Sequence, residues 1–178
     1  MLLRLDQYED YGLDPADKAL PRRMLSVESR IRSHTNNRFQ VRSVRVEAPS
    51  SEGILMGVHQ RMSAGDTVQV SASDVNDGLY VIESIDWDAR TATLDRELAD
   101  CGLNRVTLVR YPEDVIEGAL GILEYEAARP VEKADVSSES LSRHSVSYDK
   151  SENAKGSLFA GYPLRVIGFM KPYMRAWF

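Results

Sequence analysis

The sequence predicts an α+β protein: a small α-helical bundle, an inserted antiparallel β-barrel or sandwich subdomain, and an extended C-terminal arm. Three observations predict this. Apolar residues recur at helical spacing in two separated stretches, one before residue 38 and one after residue 111. Between them lie about six short runs with strand-like alternation and turn signals, and no helix-length pattern. Beyond Pro130 the chain becomes polar, then closes on its most apolar and aromatic stretch, GYPLRVIGFMKPYMRAWF. The expected division is residues 1–38 with 111–130 as the helical core, 39–110 as the inserted β subdomain, and 131–178 as the arm.

The first helix is expected in LDPADKALPRRMLSVESRIRSHTNNRF. Asp14 and Pro15 suit an N-cap and first helical position, and Pro21 marks a break or kink. Met24, Val27 and Ile31 form a stripe that Leu20 and Leu25 widen, and Asn36 and Asn37 suit its end. FQVRSVRVEA then alternates, with one slip between Val41 and Val44 that a bulge absorbs. GILMGV, GDTVQVSAS, NDGLYVIESIDWD, TATLD and NRVTLVRY read as five further strands. Asp77-Gly78 is a turn signal, and Leu79, Val81 and Ile85 are expected to share the inner face.

PEDVIEGALGILEYEAARP returns to helical spacing. Pro112, Glu113 and Asp114 suit its N-terminus, and Val115, Ile116, Ala119, Leu120, Ile122, Leu123 and Ala127 form a broad apolar face. Gly118 and Gly121 each weaken the helix by roughly 1 kcal/mol relative to Ala, which points to close contact at those positions. LSRHSVSYD reads as a short strand or extended arm, and DKSENAKGS as a loop. In the final segment Leu164, Ile167 and Met170 line one helical face until Pro172 interrupts it.

Composition narrows function mainly by exclusion. At 43% hydrophobic and 28% charged residues, the 178-residue chain has the balance of an ordinary folded domain. One cysteine, Cys101, excludes an intrachain disulfide and a cysteine-rich zinc site. His34, His59 and His144 lack metal-ligand spacing, and no phosphate-loop, dinucleotide, zinc-protease or serine-hydrolase motif occurs. Glu47, Asp66, Asp74, Asp77, Asp86 and Asp88 cluster in turns of the β region, where acids serve as turn formers. Tyr80 and Trp87 are expected as core residues of the small barrel. The reading is a non-enzyme with no cofactor and no metal. No stretch approaches the roughly 18 apolar residues of a membrane helix, and MLLRLDQYEDYG has acids where a secretory signal would be apolar. Synthesis in a cytoplasm is the expectation.

Charge is uneven. The whole chain carries −5, yet from Leu141 onward Arg143, Lys150, Lys155, Arg165, Lys171 and Arg175 face only Asp149 and Glu152. An acidic body with a basic, aromatic ending suits an acidic assembly partner, head-to-tail contact between copies, or a tail folded onto its own body.

Two stretches carry a resemblance. One is RIRSHTNNRF closing the first helix, followed by the β insertion with GDTVQVSASDVNDGLYVIESID. The other is ESLSRHSVSYDKSENAKGSLFAGYPLRVIGFMKPYMRAWF. Together they resemble the head–tail connector, or adaptor, proteins of tailed bacteriophages. Val166 to Phe178 fits the family's ending closely: an aliphatic pair, Gly-Phe, a hydrophobic residue, Lys-Pro-Tyr, then a basic and aromatic close. The resemblance implies a structural virion protein at the head–tail interface, made in the host cytoplasm and forming a ring, commonly of twelve copies, beneath the portal protein. Such a ring extends the DNA channel without sequence-specific binding and carries stopper or tail-completion proteins. The partner-binding residues expected from it, toward the portal or a neighbouring subunit, are Tyr162, Pro163, Arg165, Phe169, Lys171, Pro172, Tyr173, Arg175, Trp177 and Phe178. The alternative reading is a small-barrel binding module that recognises nucleic acid or a protein partner through the insert.

Overall fold

The computed structural model describes residues 2, 13–14, 16–128, 138–141, 144–147, 158–159 and 162–176. It divides into two compact units: Asn37–Tyr111, and Leu2–Asn36 with Pro112–Phe178. The class is mixed α and β, with three α-helices and six antiparallel strands in the main sheet among the described residues.

The first unit holds β1 (Gln40–Ser51), β2 (Ile54–Leu55), β3 (Thr67–Ser71), β4 (Gly78–Asp86), β5 (Thr91–Leu94) and β6 (Cys101–Val109). Every pairing is antiparallel, and the order β1-β2-β5-β4-β3-β6 closes because β6 pairs back onto β1. Closure leaves no unpaired sheet edge. The inner face is Val44, Ala48, Leu55, Val68, Val70, Tyr80, Ile82, Ala92, Leu94, Val106 and Leu108, with Met62 and Leu98 filling from the loops. Each fully buried aliphatic side chain here contributes about 1.5–3 kcal/mol.

The slip in β1 is present. Gln40 pairs with Val109 and Arg45 with Thr107, so β1 carries extra residues over that span, and Val44 turns inward. In β4 the inner phase is Tyr80 and Ile82, one residue out of step with the expected Leu79 and Val81. A one-residue shift exchanges the two faces of a strand, and here both pairs were apolar enough to read as inner. A second irregularity between Ile82 and Ser84 returns Ile85 toward the core.

A buried polar cluster holds the segment after β3 against β1 and β6. Asn76 Nδ2 donates to Ala99 O at 2.9 Å, Asn104 Oδ1 at 3.0 Å and Ser50 Oγ at 3.2 Å. Asn76 Oδ1 accepts from Ala99 N at 2.8 Å, and Tyr80 donates its hydroxyl to Asn76 O at 3.0 Å. Asn104, fully buried, gives Nδ2 to Ser50 Oγ and Ala48 O. Buried amides are tolerated only when satisfied in this way.

The second unit is built on α1 (Leu20–Thr35) and α2 (Glu113–Ala128). α1 begins six residues beyond the expected Asp14 cap. Pro21 is not a kink but sits in the first turn, where its missing N–H is not needed. Asp14 and Asp17 instead accept backbone N–H bonds in the turns ahead of the helix. Leu20, Met24, Val27 and Ile31 face Val115, Ala119, Ile122 and Leu123 as the buried stripes of the two helices. Arg23 donates to Leu123 O at 2.9 Å, and Arg30 pairs with Glu126 at 2.8 Å. Asn36 ends α1 in the left-handed conformation at φ 47°.

Beyond α2, β7 (Ser138–Leu141) pairs with β8 (His144–Ser147), and β9 (Leu158–Phe159) with β10 (Tyr162–Pro163). The expected loop DKSENAKGS lies outside the described residues. Over Leu164–Tyr173 the ending is helical rather than an extended arm: α3 (Leu164–Ile167) runs into a 3₁₀ turn, Gly168–Tyr173, that stops past Pro172.

Candidate functional site

The ten residues expected to bind a partner lie on the C-terminal segment, and the structure divides them. Tyr162, Phe169 and Tyr173 face the chain's own helices, and Pro163 is buried where β10 pairs with β9. The Tyr162 hydroxyl donates to Glu126 Oε1, and its ring lies 6.0 Å from Tyr125 and 5.5 Å from the Arg30 guanidinium. Phe169 covers Gly118 so closely that a Cβ there would sit 2.3 Å from the ring. Tyr173 donates to both carboxylate oxygens of Asp114, at 2.7 and 2.8 Å. The segment therefore runs antiparallel along α2, from Glu126 through Gly118 to Asp114, about 18 Å at 1.5 Å per residue. Beyond it, Arg175 N donates to Thr35 O at 2.8 Å, and Asn36 Nδ2 donates to Ala176 O at 2.9 Å, so α1's C-terminus also holds the segment.

The Asp114 contact raises the Tyr173 pKa, chiefly because the hydroxyl's proton is engaged by the carboxylate, with desolvation and the nearby negative charge acting in the same sense. The outward side of the segment is different. Arg165, Lys171, Pro172 and Arg175 are exposed, with Leu164 and Met174 each about half exposed among them. Trp177 and Phe178 lie outside the described residues. So of the expected anchors, the aromatic ones that can be placed contribute to this fold, and the basic ones are exposed.

The β unit carries a second candidate. Arg38, Gln40, Arg45, Gln69, Ser71, Asp77 and Arg105 line a basin of about 560 Å³. Register assembles it: Arg45, Thr107 and Gln69 stand in one row across β1, β6 and β3, and Glu47, Arg105 and Ser71 in the next. Its floor is polar yet buried. Thr107 is fully buried and accepts from Arg45 Nε at 3.0 Å, and Gln69 receives Gln40 Nε2 at 3.2 Å. Glu47 holds Arg105 through Nε at 2.9 Å and a terminal nitrogen at 2.8 Å. Among the described residues no carboxylate pairs with Arg38 or Arg45. At the rim the Asp77 pKa is lowered, chiefly by the Ser73 backbone N–H; desolvation, next in size, opposes this, and the Ser73 hydroxyl and the Ala72 backbone add to the lowering.

Charge in this unit is polarised. Residues 37–50 and 101–111 carry five arginines against Glu47 alone, whereas residues 51–100 carry three arginines against ten carboxylates. Sequence reading missed the basin because Arg38, Arg45 and Arg105 come together only through strand register. It also took Trp87 for a core residue. Trp87 is 51% exposed on the turn after β4, while Tyr80 is buried as expected. The signal was available: Trp87 is flanked by Asp86 and Asp88, which resist burial.

Among the described residues no group of three or more His, Cys, Asp or Glu side chains gathers as a metal site, and no helix is long and apolar enough to cross a membrane. No family model matches the chain, and no curated protein matches it.

Proposed function

We propose that this chain is a non-enzymatic structural subunit of the head–tail connector of a tailed bacteriophage. It forms a ring, of about twelve copies by the family resemblance, below the portal, lengthens the DNA channel, and offers a platform to stopper or tail proteins. The observation that carries the reading is the ending: SRHSVSY, then GYP, then Val166–Phe178 in the connector pattern. The docked geometry is in keeping with it. The inward residues fix the segment on α1 and α2 and leave Arg165, Lys171 and Arg175 exposed, basic groups suited to an acidic partner surface.

Deleting the segment would confuse binding with folding, because Tyr162, Phe169 and Tyr173 pack on the helices. Reversal of Lys171 and Arg175 to Glu leaves those contacts in place. Light scattering on the unmodified chain with purified portal is expected to give a ring-sized complex, and the doubly reversed variant a much smaller occupancy. A chain indifferent to portal, or equal assembly by both forms, refutes the proposal.

Exposed Trp87 favours a second reading, the insert as a binding module for nucleic acid or protein. Retention of the full chain by single-stranded DNA, lost in Trp87→Ala, would support it.

A further inference from the structure

The basin and the Trp87 turn are complementary. The basin offers Arg38 and Arg45, both exposed and both without a carboxylate partner among the described residues. The turn offers Asp86-Trp87-Asp88. Asp86 Oδ1 accepts from Asp88 N at 2.9 Å and Ala89 N at 3.0 Å, so the turn is pre-shaped and holds the indole outward. A rigid aromatic flanked by carboxylates is well matched to guanidinium groups, which pair with the acids and stack on the ring. Large aromatics and arginines are also the residues that dominate interface energies.

The two features cannot meet within one copy. Gly78 at the start of β4 lines the basin, and Asp86 at its end opens the turn, with nine strand residues from one to the other. At about 3.3 Å per residue the separation is roughly 26 Å. The charge polarity of the unit repeats the arrangement: arginines predominate in β1 and β6, and acids in the strands and turns between them. Unlike a run of phosphates, the turn brings two carboxylates and an aromatic ring, which match Arg38 and Arg45 in charge and offer a guanidinium a face to stack on.

We propose that the Arg38–Arg45 basin receives the Asp86-Trp87-Asp88 turn of a second copy of this chain, in a head-to-tail contact between β units. Such a contact joins two different surfaces, so it propagates from copy to copy and closes only as a ring. The proposal rests on the assembly reading in taking a second copy as the partner.

Sedimentation velocity on the full chain, over a concentration series reaching the millimolar range, tests the contact without a portal. The unmodified chain is expected to self-associate, less so as salt is raised. Arg38→Ala, which disturbs no hydrogen bond among the described residues, and Asp88→Ala should each weaken association about tenfold or more. Circular dichroism should show each folded as the unmodified chain. The deciding sample is their mixture. Each variant retains the surface the other lacks, so an equimolar mixture should form one contact and stop at a heterodimer of twice the monomer mass. A monomeric unmodified chain, variants that associate as it does, or a mixture that stays monomeric overturns the contact. Portal-dependent ring formation that persists in Arg38→Ala and Asp88→Ala would overturn it too, while leaving the connector reading intact. Loss of portal assembly through Lys171 and Arg175 alone bears on the connector reading and not on this contact.

Discussion

Gly118 and Gly121 lie three residues apart in the interior of α2, and alanine should stabilise at the second but not at the first. Helix propensity alone favours Ala over Gly by about 1 kcal/mol at either position. At Gly121 nothing lies within 4 Å of the added Cβ, so Gly121→Ala should stabilise by most of that amount. At Gly118 the Cβ would lie 2.3–2.5 Å from three atoms of the Phe169 ring, including the one attached to its own Cβ. Rotating the ring tip cannot relieve this; the whole side chain, and with it the 3₁₀ turn, must withdraw. Overpacking of this kind costs about 1–3 kcal/mol, so Gly118→Ala should be neutral to destabilising by about 2 kcal/mol. Because the propensity gain is common to both, the difference between the variants isolates the contact. Urea denaturation followed at the helix band of circular dichroism would read it. The double variant Gly118→Ala with Phe169→Ala should recover part of the loss relative to the sum of the singles. If Gly118→Ala is as stabilising as Gly121→Ala, the C-terminal segment does not rest on α2 as described.

Further outcomes are expected. Asn76→Ala leaves Asn104 Oδ1 and Ala99 N–H without their partner in a buried cluster and should destabilise the β unit by about 2–5 kcal/mol, read by denaturant midpoint. Ser50→Ala should cost less, because the amides of Asn76 and Asn104 each keep another acceptor. Tyr173 should ionise at higher pH than an ordinary tyrosine, and Asp114→Asn should bring it back, as followed by ultraviolet titration against a Tyr173→Phe control. Its folded-state pKa is raised, so its contribution to docking is complete below the ordinary tyrosine pKa and fades as pH climbs through the folded value. Asp77 is depressed, so its contribution is present above the ordinary aspartate value and disappears as pH falls through the lowered one. Carboxyl resonances should show Asp77 titrating at lower pH than an ordinary aspartate, with Ser73→Ala shifting it up.

Local patterns carried much of the fold. The Val41–Val44 slip announced the irregularity in β1 because alternation breaks visibly there, and α2 was legible from its acidic start and broad apolar face. Where two patterns were equally good, the sequence was ambiguous. Leu79 with Val81 and Tyr80 with Ile82 both read as an inner pair, and only pairing with β3 and β5 selects the latter. Asp14-Pro15 looked the stronger helix start, yet Pro21 holds the first turn. The candidate sites were least legible, since they depend on long-range contact. Nothing near Phe169 signals Gly118, and nothing near Arg38 signals Arg105.

At the junction of the two units the strands that enter and leave the closed sheet lie side by side. Phe39 and Tyr111 rings are 4.9 Å apart, and Arg110 N donates to Phe39 O at 3.0 Å. This clasp bears on the order of folding. Before it forms, α1 and α2 are separated by a loop of about 75 residues; afterwards they are separated by the few residues outside the clasp. On the logarithmic dependence of closure entropy, that shortening removes about 2 kcal/mol from the search that brings the helices together. The β unit should therefore fold first and act as an intramolecular staple, with the helical pair, and then the C-terminal segment, condensing only after it has closed.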